Sequence, residues 1–155
     1  MTLICGLPGS GKTTLAKALE ARLRAVRFSA DEWMEALCLN LRDEEKRAKV
    51  EALQWGWGQR LLALGLTVII EWGTWGRAER DVLRHGARAL GVAVELRYLS
   101  EPLGRLYERL QRRGVEEPPI DRVELSRWME SFEAPTDEEM RLFDEPLTEG
   151  FDLQS

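Results

Sequence analysis

The residues with the clearest chemical meaning lie near the N-terminus, in the segment that runs from Gly6 to Thr13 and reads GLPGSGKT. Two glycines flank four residues, and a lysine and a threonine follow directly, which is the spacing of a phosphate-binding loop. Glycines let consecutive backbone N–H groups turn inward and form a nest for an anion. Lys12 adds positive charge for the β- and γ-phosphates, and the Thr13 hydroxyl is a ligand for Mg²⁺. The spacing therefore predicts a site for ATP and Mg²⁺.

The flanking sequence places this loop between a strand and a helix. Residues 2–5 form a short apolar run, and apolar residues then recur at helical spacing from Lys12 to Leu23. A loop that opens a helix also gains the positive end of the helix dipole, which attracts anions. The residues predicted to contact the nucleotide are Gly6, Pro8, Gly9, Ser10, Gly11, Lys12, Thr13 and Thr14.

Further strand candidates alternate with helical stretches along the chain. Residues 25–29, 66–70 and 92–98 are predicted strands, and a long helix over 43–64 is predicted to turn inward Val50, Leu53, Trp57, Leu61 and Leu64. Ser29 with Glu32, Asp121 with Glu124 and Thr136 with Glu139 have the spacing of capping boxes. This alternation predicts an α/β fold, with a parallel sheet of four or five strands and helices on both faces.

Polar and aromatic side chains follow the predicted strands, at the edge of the sheet where parallel folds bind ligands. Glu71 ends a buried strand, a position from which a carboxylate can order Mg²⁺ through water. Trp33, Trp72 and Trp75 lie beside the inferred pocket, where they either stack on a substrate or serve as packing. Arg77 either binds a substrate anion or forms an ion pair within its helix.

A basic stripe marks the helix predicted over 102–114. Its arginines recur at helical spacing, opposite an apolar face that contains Leu106 and Leu110. They are Arg105, Arg109, Arg112 and Arg113. A stripe of this kind either binds an anionic ligand or is a solvated surface.

Length and composition limit the classes of protein that fit. The 155 residues are enough for one domain, predicted to span 1–155, and a net charge of -5 argues against a nucleic-acid partner. The sequence contains no long apolar span or targeting segment, so we expect a cytoplasmic protein without a membrane partner. Cys5 and Cys38 are expected to be reduced thiols. The oligomeric state is left open.

The chain resembles the small P-loop kinases that include polynucleotide 5′-kinases, zeta-toxin-like sugar kinases and chloramphenicol phosphotransferases, which are often labelled AAA-type ATPases. The resemblance runs from Thr2 to about Phe143 and comprises five segments in order. They are the phosphate-binding loop, residues 28–32, residues 68–74 with Arg77 and Arg80, the helix from Arg105 to Arg113, and residues 132–135.

This resemblance implies a P-loop NTPase fold and a kinase that transfers the γ-phosphoryl group of ATP to a hydroxyl group. Asp31 then accepts the proton of the attacking hydroxyl, although an acid in a first helical turn also simply complements the helix dipole. The stripe of Arg105, Arg109 and Arg112 becomes a helical lid near 102–114 that neutralises the developing charge.

The sequence departs from the polynucleotide kinases at Met34, where those enzymes carry arginine, and over residues 71–75. These changes favour a small hydroxyl compound such as a sugar, nucleoside or antibiotic. A polynucleotide 5′-hydroxyl kinase and a non-catalytic ATP-binding switch protein are the alternatives.

Overall fold

The structure is a computed structural model and describes residues 1–114 and 119–146. In this part of the chain, strands and helices alternate as the sequence predicts. The elements in chain order are β1 Thr2–Cys5, α1 Lys12–Leu23, β2 Val26–Phe28, α2 Ala30–Ala36, α3 Glu44–Ala63, β3 Val68–Gly73, α4 Arg77–Ala89, β4 Glu95–Tyr98, α5 Leu103–Arg113, α6 Arg122–Ser131 and α7 Asp137–Met140.

The described strands form one parallel sheet of four strands in the order β2-β3-β1-β4. Strand β1 lies in the interior of the sheet, with Thr2 opposite Ile69 of β3 on one side and Glu95 of β4 on the other. The loop that follows β1 therefore emerges in the middle of the sheet edge. The predicted fold class is confirmed.

Helices cover both faces of the sheet. Leu3 and Cys5 of β1 face a core that includes Leu62 of α3 and Leu83 of α4. Ile4 points to the other face and packs with Ala16 and Leu19 of α1. Alternate residues of β1 enter two different cores, and after Thr2 every position of the strand is apolar, as expected for a strand covered on both faces.

The predicted inward face of α3 is correct at Val50 and is rotated by part of a turn along the rest of the helix. The buried positions of this helix are Val50, Gln54, Gly58 and Leu62, whereas Leu53, Trp57 and Leu64 are exposed by 54%, 49% and 76%. The helix is continuous through its glycines. At Gly58 an added Cβ would make ordinary contacts, 3.5 Å from the Phe28 ring and 3.7 Å from Val68, so the helix lies against the sheet here without requiring a glycine.

The side-chain half of each predicted capping box is present. Ser29, Asp121 and Thr136 accept hydrogen bonds from the backbone N–H groups of the residues three positions later. None of the helices in residues 1–114 and 119–146 is long and apolar enough to cross a membrane.

Candidate active site

The loop between β1 and α1 has the backbone conformation of an anion nest. Gly6, Gly9 and Gly11 have positive φ angles of 144°, 83° and 99°. Gly6 is also sterically required, because a Cβ there would lie 2.5 Å from the carbonyl oxygen of Leu99. The Ser10 N–H donates to the Leu7 carbonyl over 3.1 Å and closes the turn.

The amides on the inner side of this turn are available to a ligand. Within residues 1–114 and 119–146, no protein group accepts a hydrogen bond from the N–H groups of Gly9, Gly11, Lys12, Thr13 or Thr14. Helix α1 also has no side-chain cap and no acidic residue in its first turn. A phosphate group would satisfy these donors and complement the helix dipole. Pro8 lacks an N–H and Ser10 uses its own within the loop, so neither adds a backbone donor.

Lys12 lies half-buried in this loop, and its ammonium group donates to the Leu7 carbonyl over 3.0 Å. Burial lowers the pKa of Lys12 to about 8, while the charges of Asp31 and Glu71 oppose this decrease. Those two carboxylates are therefore within electrostatic reach of the ammonium group. The structure brings together three of the predicted site residues from three separate elements.

Asp31 is in the first turn of α2, and 54% of its side chain is exposed. Its Oδ1 accepts a hydrogen bond of 2.6 Å from Nη2 of Arg47, near the start of α3. The sequence analysis did not identify Arg47, because only the folded chain places it opposite Asp31.

Glu71 lies within β3, not after it, and its side chain is only 1% exposed. One of its oxygens pairs with Arg27 of β2, whose guanidinium also binds Glu20 at 2.9 Å and Glu32 at 2.7 Å. The Oε2 atom of Glu71 has no hydrogen-bond partner among the described residues. Arg27 is a charged residue within a largely apolar strand candidate, and this is the feature of the sequence that could have indicated a buried ion pair.

The donors present suit a magnesium ion that arrives with a nucleotide. They comprise the exposed hydroxyl of Thr13 and the unpartnered oxygen of Glu71. Over residues 1–114 and 119–146 no group of three or more His, Cys, Asp and Glu side chains could hold a metal by itself. Mg²⁺ is commonly bound by one or two protein ligands plus phosphate oxygens, so this small donor set fits it.

Helix α5 packs directly against the loop. Leu106 and Leu110 are buried in a core with Leu7, and Arg109 donates to the carbonyl of Gly9 over 3.1 Å. Arg109 also binds Glu101 at 2.9 Å, and Arg105 approaches the same carboxylate at 3.6 Å.

The other arginines of the stripe lie further along α5. Arg113 is near enough for its charge to lower the pKa of Lys12, and Arg112 is exposed. Arg109 and Arg113 are thus the stripe residues that interact with the loop or its lysine.

The tryptophans beside the site all take part in packing. Trp75 contacts Trp128 and Phe132 edge to face, with ring centroids 5.9 Å and 6.3 Å apart. The Trp33 ring packs against Phe28 at 6.0 Å, and the Trp72 indole donates to Gln54 over 2.6 Å. Each of the three predicted tryptophans is half-buried, so each retains some accessible surface.

The two arginines after β3 differ sharply. Arg77 is exposed and lies 3.6 Å from Asp81 within its own helix. Arg80 is completely buried and binds Glu139 of α7 at 2.6 Å and 3.0 Å. Arg80 also donates to the carbonyls of Thr74 and Glu133. It therefore links the loop after β3 and the segment after α6 to α7. The sequence analysis missed Glu139 as a partner.

Comparison with known proteins places this site in a family. Residues 1–135 match the family model described as an AAA domain. No curated protein matches the sequence.

Several solved structures share the fold. A sugar kinase from a Janibacter species has a TM-score of 0.66 at 24% identity, over 89% of this chain and 80% of that one. Kti12 from Chaetomium thermophilum, in complex with ADP-AlF3, has a TM-score of 0.66 at 20% identity, over 92% and 84%. A chain of the Pnkp1/Rnl/Hen1 RNA repair complex has a TM-score of 0.69 at 19% identity, over 92% of this chain and 45% of that one. At these identities the likeness shows the fold alone.

Proposed function

Since this chain belongs to the AAA domain family and has the fold of small P-loop kinases, we propose that it transfers the γ-phosphoryl group of ATP to a hydroxyl group of a small molecule. The observation that carries the proposal is the convergence of Lys12, Asp31 and Glu71 beside a loop with free amides. Phosphoryl transfer depends mainly on positioning and on charge stabilisation, and these residues supply both.

In the proposed reaction the acceptor oxygen forms a bond to the γ-phosphorus while the bond to the β–γ bridging oxygen breaks. The hydroxyl proton passes to Asp31, and ADP leaves with the electrons of the broken bond. Lys12 and the loop amides hold the β- and γ-phosphates. Thr13 and Glu71 would hold Mg²⁺, which neutralises phosphate charge when it is bound.

The arginines of α5 have a supporting role in this proposal. Arg109 is the one that hydrogen-bonds the loop in the structure, and Arg105 shares its partner Glu101. Together with Arg112 they would stabilise negative charge on the transferred group as a lid. Because the apolar side of α5 is packed against the loop, we expect side-chain movement more than movement of the whole helix.

Two features favour a small acceptor. The net charge of -5 opposes binding of a polyanion, and the likeness to a sugar kinase fold is consistent with a small hydroxyl compound. The surface left accessible on Trp33, Trp72 and Trp75 could contact an apolar or ring-shaped part of the acceptor, and Arg77 an anionic part.

The test is ATP consumption in the presence of sugars, nucleosides, aminoglycosides, other hydroxylated antibiotics and oligonucleotides with 5′-hydroxyl ends. We expect turnover that requires one of the small compounds and falls at least about 100-fold in Asp31→Asn, with Mg·ADP binding retained. Turnover only with an oligonucleotide would identify a polynucleotide kinase. ATP binding without turnover on any compound would identify a switch protein.

A further inference from the structure

We propose that Arg47 is a positioning residue for Asp31, which it holds so that one carboxylate oxygen faces the acceptor hydroxyl. The inference rests on the proposed kinase function and adds a residue that neither the sequence motifs nor the family match identifies. It comes from the contacts of a single guanidinium group at the start of α3.

Asp31 needs an external restraint. Its side chain is 54% exposed and sits in the first turn of a helix of only 7 residues. A carboxylate in such a position rotates freely unless a partner fixes it. Arg47 binds Oδ1 at 2.6 Å, and Oδ2 has no partner among the described residues. The oxygen that remains is the one available to accept a proton.

Arg47 is itself held in place. The nitrogen that binds Asp31 also donates to the carbonyl of Leu41 over 3.1 Å. The other terminal nitrogen lies 4.0 Å from a carboxylate oxygen of Glu51, one turn further along α3. Only 21% of the Arg47 side chain is exposed. A guanidinium that is held by the Leu41 carbonyl and by the ion pair with Glu51 can transmit the geometry of α3 to Asp31.

The charges around Arg47 argue against a direct role in binding an anionic acceptor. Burial is the main cause that raises the pKa of Glu51 to about 7; Arg47 opposes this increase, and the charges of Glu79, Glu44 and Asp31 contribute to it. The Arg47 guanidinium itself already has two carboxylate partners, Asp31 and Glu51. A second anion would have to approach against that charge.

The test compares Arg47→Met with a control variant, Lys49→Met. Lys49 is an exposed cation of the same helix and pairs with Glu45. The acceptor is the compound that gives the highest ATP consumption in the panel above. In Arg47→Met we expect kcat to fall about 10- to 100-fold, the size of effect that misplacing a reacting group has. The Kd for Mg·ADP and the KM for the acceptor should change less than about twofold, and Lys49→Met should behave as wild type.

Two further measurements separate positioning from a general structural role. In an Asp31→Asn background, Arg47→Met should lower kcat by less than about twofold more, because the restrained group is already gone. Millimolar guanidinium chloride should restore part of the activity of Arg47→Ala. Arg47→Lys keeps the charge beside Glu51, and its kcat should lie between those of the wild type and Arg47→Met. This variant allows the comparison even if the methionine variant folds poorly.

Different outcomes overturn different statements. If the wild type is active and Arg47→Met retains its kcat, or if the loss is equally large in the Asp31→Asn background, Arg47 does not position Asp31. A raised acceptor KM at unchanged kcat would show that Arg47 binds the acceptor instead. A wild-type chain that consumes no ATP with any compound overturns the proposed function, and this inference with it.

Discussion

Lys12 illustrates how a single residue in this site depends on its surroundings. Its ammonium group is half-buried, and among the described residues it donates a hydrogen bond to the Leu7 carbonyl alone. Burial lowers its pKa to about 8, so Lys12 is neutral in the majority of the chains above that pH. Phosphate binding requires the charged form, and the anion would raise the pKa again.

We therefore predict that Mg·ADP binding takes up a fraction of a proton at about pH 8.5, and that affinity falls as the pH rises through 8. Calorimetry in two buffers with different ionisation enthalpies measures this uptake. Lys12→Met should abolish this proton uptake. Lys17 is an exposed lysine that pairs with Glu32, and the control variant Lys17→Met should retain the uptake. A wild-type binding enthalpy that is independent of the buffer would contradict the lowered pKa of Lys12.

At the residue scale, the sequence identifies site residues that are adjacent in the chain, but not the partners that lie far apart in it. The loop residues are contiguous, so their spacing identifies them directly. The partners of Asp31, Glu71 and Arg80 are 16, 44 and 59 positions away in the chain. A single sequence gives no means of matching one particular arginine with one particular carboxylate over such distances.

At the scale of elements, the order and type of the helices and strands follow from periodicity, but the rotation of α3 does not. Leucine and tryptophan at positions 53, 57 and 64 produce an apolar stripe, yet the buried stripe contains Gln54 and Gly58. Gln54 is buried because it bridges the Ser29 carbonyl at 3.0 Å and the Trp72 indole at 2.6 Å. At this position a buried polar group with both hydrogen bonds made outweighs the simple preference for burying large apolar residues.

The buried pair between α4 and α7 leads to a prediction of stability. Arg80→Met or Glu139→Gln leaves the other side chain buried without its opposite charge, so each should lower the free energy of unfolding by about 3–5 kcal/mol. Urea denaturation measures the loss. Arg77 is exposed on the same helix, and Arg77→Ala should lower the free energy of unfolding by less than about 0.5 kcal/mol. Replacing both members, as Arg80→Met with Glu139→Leu, should recover part of the loss, and equal losses at Arg77 and Arg80 would contradict the burial of the pair.

At the scale of the whole molecule, the two cysteines report on the integrity of the sheet. Cys5 is buried in β1, where burial raises its thiol pKa to about 12, whereas Cys38 is exposed after α2. Since the thiolate is the reactive form, a thiol reagent such as DTNB should label one cysteine in the native protein and both after unfolding. Cys38→Ser should abolish labelling of the native protein. Rapid labelling of Cys5 in that variant would mean that β1 is accessible.

The position of β1 also constrains how the chain reaches its native state. Thr2 pairs with Ile69 and Glu95, so β1 finds its two hydrogen-bonding neighbours only after β3 and β4 have been synthesised. Long-range parallel pairing is slow because the loop-closure entropy must be overcome first. The loop from Gly6 to Thr13 directly follows this strand, so it would acquire a fixed conformation only once residues 68–73 and 95–98 have paired with β1.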